Sequence, residues 1–129
     1  MQLLSVMLNE LLNGFHVLIV SDHRDLANLF AAIVTACGAT SMRASSVRDA
    51  VEALRARPHA VLLDVALEGD AWAIPVEANT RKIPVVALTL RCEEPRDIGG
   101  HLRALSTRSL HSTEMEEVCQ VLHDAASAA

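Results

Sequence analysis

The spacing of apolar positions changes several times along the chain. In residues 2–13, "QLLSVMLNELLN", Leu3, Leu4, Met7, Leu8, Leu11 and Leu12 form one broad stripe at helical spacing, with Gln2, Ser5, Asn9 and Glu10 opposite. Gly14 stands where such a helix would stop. The pattern then becomes a short continuous run, "HVLIV" at 16–20, which predicts a strand buried on both faces. Helical spacing returns in "RDLANLFAAIVTACG", with Leu26, Leu29, Phe30, Ile33 and Val34 on one face and Gly38 at its end. Residues 40–45 make a weak strand. "SSVRDAVEALRARP" opens with Ser46 and Asp49 in a capping relation, carries Val47, Val51 and Leu54 on one face, and ends before Pro58.

Two further continuous apolar runs follow, "AVLLD" at 60–64 and "IPVVALT" at 83–89. The stretch between them is irregular, with a turn-like Glu68-Gly69-Asp70 and a Pro75 that blocks a long helix. "CEEPRDIGG" has room for one or two helical turns, and "LRALST" at 102–107 is a shorter strand. Ser112 caps a last helix whose buried stripe is Met115, Val118, Cys119 and Leu122. Its Glu114, Glu116 and Glu117 suit the positive end of the helix dipole. Strands alternating with helices predict an α/β fold with a parallel sheet covered on both faces.

Composition narrows the function classes. The 129 residues suit one domain, read here as an amphipathic helix at 1–14 and an α/β unit at 15–129. A net charge of −5 argues against a nucleic-acid surface. No apolar run approaches the length of a membrane span, and the N-terminus lacks the pattern of a secretory signal. Phe15, Phe30 and Trp72 are the only aromatics, too few for a base-stacking platform. The three cysteines, Cys37, Cys92 and Cys119, match no zinc or CxxC pattern and read as reduced, small apolar residues in a cytoplasm. None of the six histidines shows paired metal-ligand spacing.

In open parallel sheets, sites form at the carboxyl ends of the strands. Those ends carry Ser21, Asp22 and His23, then Asp64, then Thr89, then Ser106, Thr107 and Arg108. Two carboxylates close together would favour a hard divalent cation such as Mg²⁺. A carboxylate beside such an ion can attack phosphorus, with Thr89 and Arg108 placed to meet the phosphoryl oxygens.

Taken in order, these motifs resemble the receiver domain of two-component response regulators over roughly residues 15–125. "VLIVSDHRD" is similar to the family's acidic pair after its first strand, and "AVLLDVAL" to its phosphoacceptor strand. "IPVVALT" resembles the strand ending in a switch hydroxyl, and "STRSLHSTEM" falls where the family has a lysine before its last helix. The resemblance implies a flavodoxin-like, doubly wound, five-stranded parallel sheet with an extra N-terminal helix. It implies Asp64 as phosphoacceptor, and Mg²⁺ held by Asp22, Asp64 and the backbone of Ala66. Thr89 matches the switch hydroxyl and Arg108 takes the lysine's place. Ser21 replaces the first acid of the pair, and Leu105 falls near the usual switch aromatic. The segments after the third and fourth strands are short: 25 positions separate Asp64 from Thr89, and 19 separate Thr89 from Arg108.

Two functions are expected from the resemblance. One is a stand-alone cytoplasmic receiver, phosphorylated on Asp64 by a sensor histidine kinase or phosphotransfer protein and signalling to a downstream protein by contact. The other is a degenerate receiver that acts as an interaction or dimerisation module without phosphate. An aspartate-nucleophile phosphatase would want a second acid where Ala66 stands, so the chain is not read as an enzyme. Leu4, Met7, Leu8 and Leu11 are the expected contacts of a homodimer.

Overall fold

The structure is a computed structural model that describes residues 11–64, 69–89, 102–106 and 112–128, with side chains described for 11–64, 69–87 and 119–127. The strands are β1 (His16–Val20), β2 (Thr40–Ala44), β3 (Ala60–Asp64), β4 (Val85–Thr89) and β5 (Leu102–Ser106). The helices are α1 (Arg24–Ala36), α2 (Val47–Ala53), α3 (Ala73–Thr80) and α4 (Ser112–Ala128), with a 3₁₀ turn at Leu54–Ala56 after α2. All strand pairs are parallel and the sheet order is β2-β1-β3-β4-β5.

The continuous apolar runs are explained by burial on both sheet faces. Successive strand residues point to opposite faces. Val17 and Ile19 of β1 therefore join Leu62 of β3 and Val86 of β4 in one cluster, covered by Phe30, Ile33 and Val34 of α1 and by Cys119 and Leu122 of α4. Leu18 and Val20 join Val61, Leu63 and Val85 in the other, covered by Ala50 and Leu54 of the α2 region and by Ile74 and Ala78 of α3. Each fully buried Leu, Ile, Val or Phe contributes about 1.5–3 kcal/mol. A strand with one wet face would have alternated with polar residues instead.

The helix starts follow local chemistry. The Ser46 hydroxyl accepts the Asp49 backbone N–H at 3.1 Å, as its position before α2 predicts. His23 caps α1 through Nδ1, which accepts the Leu26 backbone N–H at 3.3 Å. The stretch after β3, read as irregular with Pro75 blocking a long helix, holds α3, a short helix of eight residues. Pro75 lies in its first turn, where the proline nitrogen has no intrahelical partner to lose, so it is tolerated. The backbone turns at α-left geometry in Arg57 (φ 54°) and Lys82 (φ 58°), residues without glycine's freedom there.

Two sequence expectations change. Leu12 is fully buried, and its N–H donates to the Cys37 carbonyl at 2.8 Å. Leu11 packs on the same cluster, so residues 11 and 12 contribute to the core of the α/β unit. Residues 1–10 of the helix expected over 1–14 lie outside the described residues, as do the shortened segment at 90–101 and the dimer candidates Leu4, Met7 and Leu8, while residues 11–14 form a turn. The reading of Cys37 and Cys119 as reduced, unlinked residues is corrected: they form a disulfide across 82 positions of sequence. Helix packing makes that pairing, and no local spacing announces it. Among the described residues, no helix is long and apolar enough to cross a membrane.

Candidate functional site

The sheet register brings the expected residues toward one rim. Val20 pairs with Leu63, Asp64 pairs with Leu88, and Thr89 pairs with Ser106. Ser21, Asp64 and Thr89 therefore stand at the carboxyl ends of adjacent strands β1, β3 and β4. The apolar residues of β3 are held on both faces, which fixes where its last residue emerges. Asp64 is almost completely buried there, at 7% exposure, and Ser21 is buried beside it at 4%.

The Ser21 hydroxyl donates to Asp64 Oδ2 at 3.0 Å. It also accepts the His23 backbone N–H at 3.1 Å. A second contact, to the His23 carbonyl, is longer at 3.4 Å. The single hydroxyl proton goes to the shorter, carboxylate acceptor, where a charge-assisted bond is stronger. The Ser21 N–H donates to the Ala44 carbonyl at 3.1 Å, which ties the serine backbone to the end of β2. One serine thus joins the ends of β1, β2 and β3 to the start of α1. Its role as a donor to Asp64, and the capping role of His23, were missed by sequence reasoning. A serine directly after a buried strand and before a helix was the available signal.

Asp22 is exposed and lines an open cleft of about 280 Å³ together with Ser21, Arg24, Arg43 and Asp49. Arg43 donates there to the Asn28 side chain. Ala66 and Arg108 lie outside the described residues, and Thr89 is placed only by its backbone.

The donor set departs from a dedicated magnesium cage. Mg²⁺ takes six oxygens at near-octahedral angles and leans on carboxylates for charge. Ser21 supplies a neutral hydroxyl where the resemblance would have an acid, and that hydroxyl is committed to Asp64. No group of three His, Cys, Asp or Glu side chains able to hold a metal ion occurs among the described residues. Among the described residues, the rim therefore offers one carboxylate fewer than the resemblance implies.

Comparison with solved structures identifies the fold. The receiver domain of NtrX from Brucella abortus superposes with a TM-score of 0.68 at 22% identity, covering 84% of this chain and 98% of that one. The N-terminal domain of a response regulator/sensory box/GGDEF three-domain protein from Carboxydothermus hydrogenoformans gives 0.74 at 22% identity, covering 88% of this chain and 94% of that one. A longer NtrX chain in complex with ADP gives 0.73 at 21% identity over 88% of this chain, which spans only 27% of that protein. No family model matches the chain, and no curated protein does. The chain has the fold of response regulator receiver domains.

Proposed function

We propose that this chain is a receiver-type module of two-component signalling that takes a phosphoryl group on Asp64 and passes the signal on by protein–protein contact. The observation that carries the reading is Asp64 itself, a carboxylate held at the end of a strand buried on both faces, on the rim that also carries Thr89. In the reaction, a carboxylate oxygen of Asp64 forms the new bond to phosphorus as the bond to the donor breaks. Thr89 and Arg108 are the residues we assign to the phosphoryl oxygens, with Asp22, Asp64 and the Ala66 backbone assigned to Mg²⁺ where the ion binds. A histidine kinase or phosphotransfer protein in the cytoplasm is the proposed donor. The domain signals and is not an enzyme with a turnover substrate. Residues 15–129 carry these functions, and Leu4, Met7 and Leu8 are proposed to support a homodimer, Leu11 being packed on the core instead.

One observation favours a second reading, a receiver fold used as a phosphorylation-independent interaction module. Ser21 already satisfies an oxygen of Asp64 and withholds the charge a metal would want. Intact mass after incubation with Mg²⁺ and acetyl phosphate separates the two. The first reading expects one added phosphoryl group, lost in Asp64→Asn. No added mass, with normal association of the chain, supports the second. An added mass that persists in Asp64→Asn overturns the assignment of the acceptor.

A further inference from the structure

The face of the sheet covered by α1 and α4 holds a pair of sulfurs that the rim chemistry does not use. Cys37 closes the C-terminal end of α1, and Cys119 lies within α4. Both belong to the same apolar cluster, at 7% and 1% exposure. Their Cα atoms are 6.9 Å apart, within the limit of about 7 Å for bridging without backbone movement. The structure joins them as a disulfide.

The same site also satisfies the reduced state. The Cys119 sulfur lies 3.8 Å from the Ile33 carbonyl, a hydrogen-bond acceptor for its thiol in the last turn of α1. Two buried thiols are small, apolar groups that a packed core accepts. Reduction therefore leaves neither a buried charge nor a large void. Oxidation adds one covalent tie between helices that already pack together.

We propose that Cys37 and Cys119 form a reversible redox site, closed by a peroxide and reopened by a dithiol, that locks α4 onto α1. Cys37, the more exposed of the two, reacts first. Its thiolate attacks hydrogen peroxide, an S–O bond forms, the O–O bond breaks, and hydroxide leaves to become water. The Cys119 thiolate then attacks Cys37 Sγ, the S–S bond forms, and the sulfenic oxygen departs as a second water. Two thiols and one peroxide give one disulfide and two waters. A reduced dithiol returns both thiols and is itself oxidised to a disulfide. Neither cysteine sits at a helix N-terminus, where a thiolate would be stabilised. Geometry selects the partner here, and it does not accelerate the first step.

The tie bears on the rest of the domain because α1 begins at the rim. Its cap, His23, donates its N–H to Ser21, the residue that bonds Asp64. The disulfide holds the far end of that helix.

The test uses the full chain, reduced and desalted, then treated with a small excess of hydrogen peroxide. It is quenched by alkylation with iodoacetamide under denaturing conditions and read by intact mass and peptide mapping. The expected product is a monomer that has lost two hydrogens and carries a single alkyl group, on Cys92. Dithiothreitol before alkylation restores three. Oxidation should raise the melting temperature by roughly 15–20 °C, since the crosslink closes a long loop. Cys119→Ala should abolish both effects, and Cys92→Ala should preserve both. Three alkylated cysteines after peroxide, a bridge through Cys92, or a crosslink between chains overturns the proposal. So does a Cys37–Cys119 bridge that dithiothreitol fails to open in the folded protein.

Discussion

Replacing Ser21 by Asp tests the packing of the rim, because it puts a second carboxylate where a hydroxyl now lies 3.0 Å from Asp64 Oδ2. Two unit charges about 4 Å apart repel by about 4 kcal/mol at an effective dielectric near 20. The lost hydroxyl–carboxylate bond adds about 1.5–3 kcal/mol. The sum, about 5–7 kcal/mol, is comparable to the whole stability of a small domain. In chelator, Ser21→Asp should therefore unfold at a much lower urea concentration than the parent chain, by circular dichroism. Ser21→Asn, of the same size and neutral, should lose far less. Adding Asp64→Asn to Ser21→Asp should recover most of the deficit, giving a large coupling in the double-mutant cycle. Mg²⁺ should stabilise Ser21→Asp selectively, by about 2.7 kcal/mol at a hundredfold excess over its dissociation constant. A Ser21→Asp chain with the parent's urea midpoint in chelator would refute the reasoning, because the two side chains could then not share a buried rim.

Other outcomes check separate parts of the structure. Leu12→Ala should cost about 2–5 kcal/mol in urea unfolding, since Leu12 is fully buried; a loss under 1 kcal/mol would remove residues 11 and 12 from the core. Arg57→Gly should stabilise the chain by up to about 1 kcal/mol, because Arg57 is exposed and turns at φ 54°; a destabilisation would mean that its side chain contributes more than its backbone costs. The oxidised chain should exceed the reduced chain by about 4.5 kcal/mol from loop closure over 82 positions, measured by urea unfolding with and without reductant. Hydrogen bonds from His123 and then Gln120 hold the Asp124 carboxyl below its ordinary range. Its stabilisation is therefore present above that range and lost as pH falls through the lowered value. Asp124 is fully exposed, so Asp124→Asn should change the acid-unfolding curve only slightly, and a large shift would show a role beyond these contacts.

The sequence made the buried sheet legible because both-face burial removes polar residues from a strand. "HVLIV" and "AVLLD" announce β1 and β3 to the residue, and Ser46 announces the start of α2. α3 was less visible: its eight residues carry a proline in the first turn, and burying Ile74, Pro75 and Ala78 together leaves little helical contrast. Contacts between distant elements were not visible at all. The Cys37–Cys119 pairing depends on how α4 settles on α1, and Leu12 is buried in a cluster drawn from several distant elements. Periodicity describes one element at a time and carries no information on which end of one helix meets which turn of another.

Ser21 shows the same limit where it matters most. Read along the chain, it is a missing acid, a subtraction from a metal site. In the fold it is a donor to Asp64 and an acceptor from the start of α1. A phosphoryl group arriving at Asp64 would have to share or displace that hydroxyl, and the hydroxyl's other bond runs to His23, the cap of α1. Modification of Asp64 would therefore be felt first at the N-terminal end of α1, while the disulfide restrains its C-terminal end. An oxidised chain should accordingly move less at α1 on phosphorylation than a reduced one. Hydrogen exchange of the α1 amides, compared across the four combinations of oxidation and acetyl phosphate, measures it. Equal responses in both redox states would mean that the rim and the sulfur pair act independently.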